Sequence, residues 1–469
     1  MFNESALFSR RTALKSASVG FGYLAFAGLS TMASEKENLL APKPTHFPAR
    51  AKHVIFLCME GAPSHVDTFD YKPKLKQDHG KTMTDARSRS AKLLGSPWEF
   101  RQHGQSGMWM SELFPELSNH TDDLCMLHGM HTDVPAHPQA ILRLHTGVSQ
   151  FKRPSLGAWA FYGLGTENEN LPGFVTISPP RNNGGPSNYG SAFLPAICQG
   201  TPITMGNPRL AAAGRRGQSS PSGIVGNIKN PQQSPDYQRL QLDYIQSINK
   251  KTLQLEEQNN EVEGAIESLE LAFRMQSELP ELMELSSETQ ATQSMYGIGE
   301  EATNNFGRQC LLARRFVEAG VRFVEVTSGQ WDHHRNLQQD LTNKTESIDK
   351  PIAGLLADLK QRDLLKDTLV IWSGEFGRTP YAQGDDGRDH NHRGFTSWMA
   401  GGGTKGGYSH GATDDYGSEA VEGRVHIHDW HATILHLLGL DHERLTYRYA
   451  GRDMRLTDVK GNVVKEIMA

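Results

Sequence analysis

Four short apolar runs constrain this chain most: HVIFLCM (53–59), GFVTIS (173–178), VRFVEVT (321–327) and TLVIWS (368–373). HVIFLCM is nearly continuous in apolar side chains, without the alternation of a half-exposed strand, and the other three are further strand candidates. Strands of that kind are buried on both faces and belong to parallel sheets covered by helices. Helical stretches precede the last two: ATNNFGRQCLLARRFVEAG (302–320), ending at Gly320, and IDKPIAGLLADLKQRDL (348–364). Helix, strand, helix, strand predicts an α/β fold. At 469 residues the length prior of roughly 150 per domain would give three domains, but large α/β enzymes exceed it. One domain over 51–469 is the reading.

The amino terminus points to export. SRRTALK (Ser9 to Lys15) precedes the short apolar stretch SASVGFGYLAFAGLS and then TMAS, with Thr31 and Ala33 as the small pair before a cleavage point. This is the layout of a signal peptide, and Arg10-Arg11 with a Gly-rich apolar region favours the twin-arginine route over residues 1–33. Ala13 stands where that motif usually has an aromatic residue. The expectation is a periplasmic or extracellular protein that meets the twin-arginine translocon during export. Residues 34–50, polar and Pro-containing, read as a linker. No run of about 18 apolar residues occurs in the body, so no internal membrane span is expected.

With a net charge of -5 and no basic patch, nucleic acid is not an expected partner. Cys58, Cys125, Cys198 and Cys310 lie far apart with no CxxC pair, so buried free thiols are expected, a disulfide being the alternative. Tyr237, Leu240, Tyr244 and Ile248 recur at helical spacing, which predicts a helical excursion over about 236–280, stopping near Pro280. A lid, an oligomer contact or plain surface packing would each account for it, and surface packing is the reading. Residues 179–235, rich in Gly, Pro, Asn and Ser, suggest long loops of the kind that border sites.

The chemistry-bearing residues gather in four loops. MEGAPSHVDTFD follows the first strand, WDHH follows VRFVEVT, GEFGRTP follows TLVIW, and GRDHNHRGF comes shortly after. Open α/β sheets bind ligands past the carboxyl ends of their strands. Mixed Asp, Glu and His ligation suits zinc or another transition metal, and such ions clamp phosphoryl or sulfuryl oxygens. Singly, Asp and His are ordinary turn formers and caps; it is the coincidence of four loops at one sheet edge that predicts a metal site. His428, His431 and His436 in HIHDWHATILHLLGL read as flanking a packed helix. GGGTKGG (401–407) lacks the G-x-x-x-x-G-K-[ST] spacing of a phosphate loop and reads as a strand-and-turn region near the site. DVPAHPQAILRLHTG (133–147) places His137 at a helix start, where an enzyme can hold a nucleophile or an anion.

MEGAPSHVDTFDYKP, WDHH, SGEFGRTP, GRDHNHRGF and AGGGTKGG, in this order over nearly the whole mature chain, resemble the DUF1501 family of secreted bacterial proteins in the alkaline phosphatase/sulfatase superfamily. The resemblance implies a three-layer sandwich: a mostly parallel central sheet with helices on both faces. It implies metal-binding acids after the first strand, where Glu60 stands with Asp67 close behind. Superfamily strands of the type TLVIFTSDNG or TLVIFTSDHG bring an Asp and then an Asn or His. TLVIWSGEFG puts Glu375 at the Asp position and Phe376, which cannot bind a metal, at the next. Asp332 and His334 resemble the Asp and His that hold a second metal, and His390 takes the remaining His position, with Asp389 and His392 as additional candidates. Sulfatases carry their nucleophile in C-x-P-S-R-x-x-L-x-T-G. The frame survives as LHTG, but the nucleophile position falls on His137 and the Arg position on Ile141. The expected cofactor is a divalent metal, zinc first, with calcium or magnesium as alternatives. The expected substrate is a small-molecule or polysaccharide ester of phosphate or sulfate. Three roles stay open for His137: base or ligand beside a water activated on the metal, a nucleophile forming a phosphohistidine, or part of a site that binds without turnover. The rival class is a non-catalytic cell-envelope binding or scaffold protein on a hydrolase fold. Oligomeric state is not legible.

Overall fold

A computed structural model describes residues 40–85, 88–180, 183–205, 233–255 and 260–469. The expected signal peptide and the start of the linker lie outside the described residues. Residues 43–50 run along the core, where the Lys43 N–H bonds the Leu164 carbonyl and the Arg50 N–H bonds the Leu437 carbonyl.

The four apolar runs form the centre of a nine-stranded sheet. They are β1 (His53–Met59), β3 (Phe174–Ile177), β5 (Phe323–Ser328) and β6 (Thr368–Ser373), all buried along their length. Further strands are β2 (Leu124–His131), β4 (Thr201–Ile203), β9 (Phe395–Ala400) and β10 (Tyr408–His410). The order across the sheet is β10-β2-β9-β6-β1-β5-β3-β4, and a ninth strand, Val425–His426, pairs with β2 off this path. From β6 through β4 every pairing is parallel, whereas β9 runs antiparallel to both β6 and β2. Between β6 and β9 a two-stranded hairpin leaves the sheet, β7 (Gly377–Gln383) and β8 (Gly387–Asn391).

Helices cover both faces. Phe56 of β1 lies level with Glu325 of β5, so the two side chains share a face. On that face the Phe56 ring meets Trp430 of helix α7 (Ile427–Leu437) at 5.7 Å and His145 of helix α1 (His137–Thr146) at 5.8 Å. Helix α2 (Leu156–Leu164) covers β3 on the same side, with Gly157 against the Phe174 ring. Ile55, Leu57, Val324 and Val326 point the other way and are fully buried. That face takes helices α5 (Asn304–Glu318) and α6 (Leu337–Gln361), which pack on each other. The connections β4 to β5 and β5 to β6 step in one direction across the sheet, and right-handed crossovers then put both helices on one side. The result is the expected three-layer α/β sandwich.

Helix α6 begins at Leu337, eleven residues before the stretch read as helical, and carries Pro351 inside it. In the excursion, helix α3 (Pro235–Leu255) and helix α4 (Asn260–Met283) pack together, and α4 continues through Pro280. Along α3, Tyr237, Leu240, Tyr244 and Ile248 are exposed, and Leu242 and Gln246 are buried. GGGTKGG is also corrected. Because β9 is antiparallel, Ala400 pairs with Val370 near the start of β6. The glycines therefore turn against Leu365 and Leu369, at the sheet edge opposite the site.

Helix α7 anchors α1 from behind. The imidazoles of His431 and His428, both buried, bond the Leu144 and Gly147 carbonyls at 2.7 Å each, satisfying acceptors that a helix end leaves open. Both histidines are thus part of a packed helix, and burial pushes them down to about 3 and about 4. Gly147 closes α1 at φ 75, and a Cβ there would sit 2.4 Å from the Leu456 carbonyl oxygen. Gly147→Ala is expected to destabilise the fold by about 2 kcal/mol, the scale of a strained left-handed residue. Urea unfolding of the variant checks it, and an unchanged midpoint would count against the role given to this cap.

Candidate metal centre

The loops after β1, β5 and β6 meet at the carboxyl edge of the sheet, and two residues tie them. Gly61, at φ 109, passes so close to the next loop that a Cβ would lie 2.7 Å from the Trp331 nitrogen and 2.8 Å from the Asp332 nitrogen. Its N–H donates to both Glu375 oxygens, at 3.0 and 3.2 Å. Arg378, on β7 and fully buried, donates to the Gly61 carbonyl, to the Ala62 carbonyl at 2.8 Å and to Asp332 Oδ1 at 2.7 Å. One guanidinium thus fixes the first loop, the WDHH loop and its own hairpin together.

Three imidazoles then converge on one carboxylate oxygen. His137, the first residue of α1, donates from Nδ1 to Glu375 Oε1 at 2.5 Å and turns Nε2 to Asp332 Oδ1 at 3.1 Å. His390, on β8, donates from Nδ1 to the Pro135 carbonyl at 2.6 Å, leaving Nε2 at 3.4 Å from Asp332 Oδ1. His334 donates from Nδ1 to the side-chain carbonyl of Gln383, and its Nε2 lies 2.8 Å from Asp332 Oδ1 and 3.0 Å from His390 Nε2. A neutral imidazole has one N–H, and in each ring an acceptor claims it at Nδ1. The Nε2 lone pairs therefore face one another and a carboxylate. His137 Nε2 is buried and has Asp332 Oδ1, at 3.1 Å, as its neighbour.

Such a cluster repels itself unless a cation enters it. The four ligand atoms lie within 4.8 Å of one another. Three imidazole nitrogens and one carboxylate oxygen suit zinc or a similar transition ion, and the outer hydrogen bonds are those that orient metal-binding histidines. Burial works against charge at His137, but hydrogen bonds to Asp332 and Glu375 raise it to about 9. Burial works against the Asp332 carboxylate too, yet His137, His390 and Arg378 hold it far below the usual carboxylate range. A proton on the cluster answers the same electrostatic demand as a metal.

Of the five ligands expected from sequence, Asp332, His334 and His390 join the cluster. His137 completes it. Glu375 is not one of the converging groups; both its oxygens face the Gly61 N–H, and Oε1 also holds His137, so it acts through that ring. Glu60 stands apart, half-buried, accepting from Asn183 Nδ2 at 2.8 Å; burial raises its pKa above the usual carboxylate value, partly offset by that hydrogen bond. Asp67 is drawn away from the site by a fully buried pairing with Arg388 at 2.6 and 2.9 Å. Asp389 is exposed and caps the N–H of His390 at 2.8 Å. His392 is not among the converging donors; its carbonyl accepts from the Thr132 N–H at 2.8 Å. Phe376, in place of a ligand, sets its ring 4.8 Å from both His137 and His390 and walls the cluster.

Sequence reasoning passed over Arg378 and Gln383. Arg378 lies inside the quoted GEFGRTP stretch; nothing local marks Gln383. A second group, Cys58, His145 and Glu325, also brings ligand atoms together, buried in the core. There burial works against charge on His145, and Glu325, 3.3 Å from its Nε2, raises that imidazole.

The model of a family described as a protein of unknown function (DUF1501) matches residues 51–468. The chain belongs to the DUF1501 family. A comparison with curated proteins finds no match. Solved structures similar to this DUF1501 protein include a sulfatase from Pseudoalteromonas sp., 11% identical over 90% of this chain and 72% of that one, with a TM-score of 0.35. A protein in the alkaline phosphatase superfamily from Vibrio parahaemolyticus is 10% identical over 86% of this chain and 70% of that one, TM-score 0.36. A mutant of TAB5 alkaline phosphatase with Mg bound is 12% identical over 75% of this chain and 92% of that one, TM-score 0.33. All four cysteines of the DUF1501 chain are buried free thiols.

Proposed function

We propose that this chain is an exported, metal-dependent hydrolase of phosphate or sulfate esters, carried by the twin-arginine route to the periplasm or beyond. The observation that carries the reading is the meeting of three Nε2 atoms and the Asp332 oxygen at the carboxyl edge of the sheet. His137, Asp332, His334 and His390 would hold the ion, with zinc the metal their donor set favours. A divalent ion there supplies a Lewis acid for an ester oxygen and lowers the pKa of water.

The residues themselves define the rest. With an ion bound, Glu375 would hold the remaining His137 proton on Nδ1 and leave Nε2 to the metal. Because both ring nitrogens of His137 are committed, it serves as a ligand rather than as a nucleophile, which speaks against a phosphohistidine. Side-chain exposure of 43% at Asp332 and 33% at His334 leaves the centre open on one side, as a small-molecule or polysaccharide ester requires.

Turnover of an aryl phosphate and aryl sulfate panel by the zinc-equilibrated protein tests the reading. Glu375→Gln is expected to lower kcat/KM by about 10–100-fold, the range for an outer partner of a metal-bound histidine. Ligand-dependent thermal stabilisation without turnover of any ester would instead identify a binding protein.

A further inference from the structure

Two clefts meet beside the centre. One, of about 540 Å³, is bordered by Asp332, His333 and the α6 residues Asp340, Asn343, Lys344 and Ser347. The other, of about 380 Å³, leads past Thr327 and Ser328 to Glu60 and contains none of the four converging ligands. Gln330, Lys344 and Ser347 border both.

Lys344 stands at this junction without an anion. No described carboxylate lies within ion-pair distance of it, and its Nζ hangs 5.8 Å from the Trp331 ring centroid. Burial pushes its ammonium down to about 8, and no neighbouring acid opposes the effect. A half-buried cation left without a partner is costly unless something else supplies the charge. Gln309 borders the second cleft, is 3% exposed, and keeps its Oε1 buried with no hydrogen-bond partner. Glu60 and Ser347 complete a lining of hydrogen-bonding groups suited to hydroxyls. The reacting ester must reach the four-ligand centre on the Asp332 side. The junction is therefore placed for a neighbouring part of the same molecule.

We propose that the junction is a subsite for a second oxyanion of the substrate, with Lys344 as its counter-ion and Gln309 accepting from a hydroxyl of the skeleton that carries it. The substrate class is then a polyhydroxylated ester bearing a further carboxylate, sulfate or phosphate. This rests on the hydrolase reading for the reacting group, but the binding it predicts does not require turnover.

Calorimetric titration of the zinc-equilibrated protein with glucose 1-phosphate and with glucuronic acid 1-phosphate tests it, since the two share the pyranose ring and differ in a carboxylate at C6. The carboxylated compound is expected to bind about tenfold tighter, the scale of a hydrogen bond to a charged group. Lys344→Met should abolish that preference and leave glucose 1-phosphate binding within twofold, while Lys344→Arg should keep most of it. Equal binding of the two compounds by the unaltered protein, or an equal loss for both in Lys344→Met, would overturn the subsite. If neither ester is hydrolysed but the preference and its loss are seen, the hydrolase reading fails and the subsite stands.

Discussion

His390→Ala is expected to cost the protein its metal. The side chain supplies one of four ligand atoms, and its loss removes a direct bond rather than an outer support. The drop in zinc affinity should therefore exceed the roughly 10–100-fold typical of an outer partner. His392→Ala, two residues away and outside the cluster, should bind zinc like the unaltered chain. Metal content by mass spectrometry and a competition titration measure both. Stability follows the same linkage: zinc at a thousandfold its Kd should add about 4 kcal/mol, and chelation should remove it. In His390→Ala the response to zinc should vanish at the same concentration. Protein that takes up no divalent ion, or a His390→Ala variant that holds it equally well, would end the metal reading. The imidazole lone pairs would then have to be satisfied by protons shared with Asp332, in line with the raised His137.

The central strands were readable because parallel strands buried on both faces need no polar side. TLVIWS forms β6 from its first residue to its last, and HVIFLCM forms β1. β2 (LCMLHGMH) and β9 (FTSWMA) were not read, because histidine, glycine, threonine and serine interrupt their apolar pattern. Their places are set by antiparallel pairing with distant residues. The same limit governs the site. That Asp332, His334 and His390 belong to the strand-end motifs, and that His137 opens a helix, was legible from local motifs. Which atom each imidazole offers was not, because Nδ1 is claimed by partners far along the chain, Glu375 for His137 and Pro135 for His390. Glu375 reads as a ligand from its loop alone; only the convergence of Gly61 and His137 on it shows a residue that orients another. Asp67 reads as a ligand for the same reason, and only the arrival of Arg388 from the hairpin shows otherwise.

That arrival sets the second large effect. Asp67 and Arg388 are both fully buried and joined by two hydrogen bonds, at 2.6 and 2.9 Å. Arg388 also donates to the Thr379 carbonyl at 3.0 Å and the Leu94 carbonyl at 2.9 Å, while Asp67 accepts from Ser64 Oγ at 2.5 Å. Arg388→Met leaves a carboxylate in the interior with one hydroxyl for company. The expected loss is about 3–5 kcal/mol, because removing one partner strands the other charge away from water. Replacing both ends of such a pair with apolar groups removes the desolvation cost together with the attraction, so Asp67→Leu combined with Arg388→Met should recover much of the loss. Denaturant unfolding of the two single variants and the double variant measures the coupling, and additive effects would show that the pair does not act as a unit. The same double variant separates structure from ligation. Arg388 lies two residues before His390 on β8, so the single variant should weaken metal binding indirectly by loosening that strand. If Asp67 only balances Arg388, the refolded double variant should take up zinc in the same stoichiometry as the unaltered chain. Loss of zinc from a double variant of near-normal stability would return Asp67 to the ligand set.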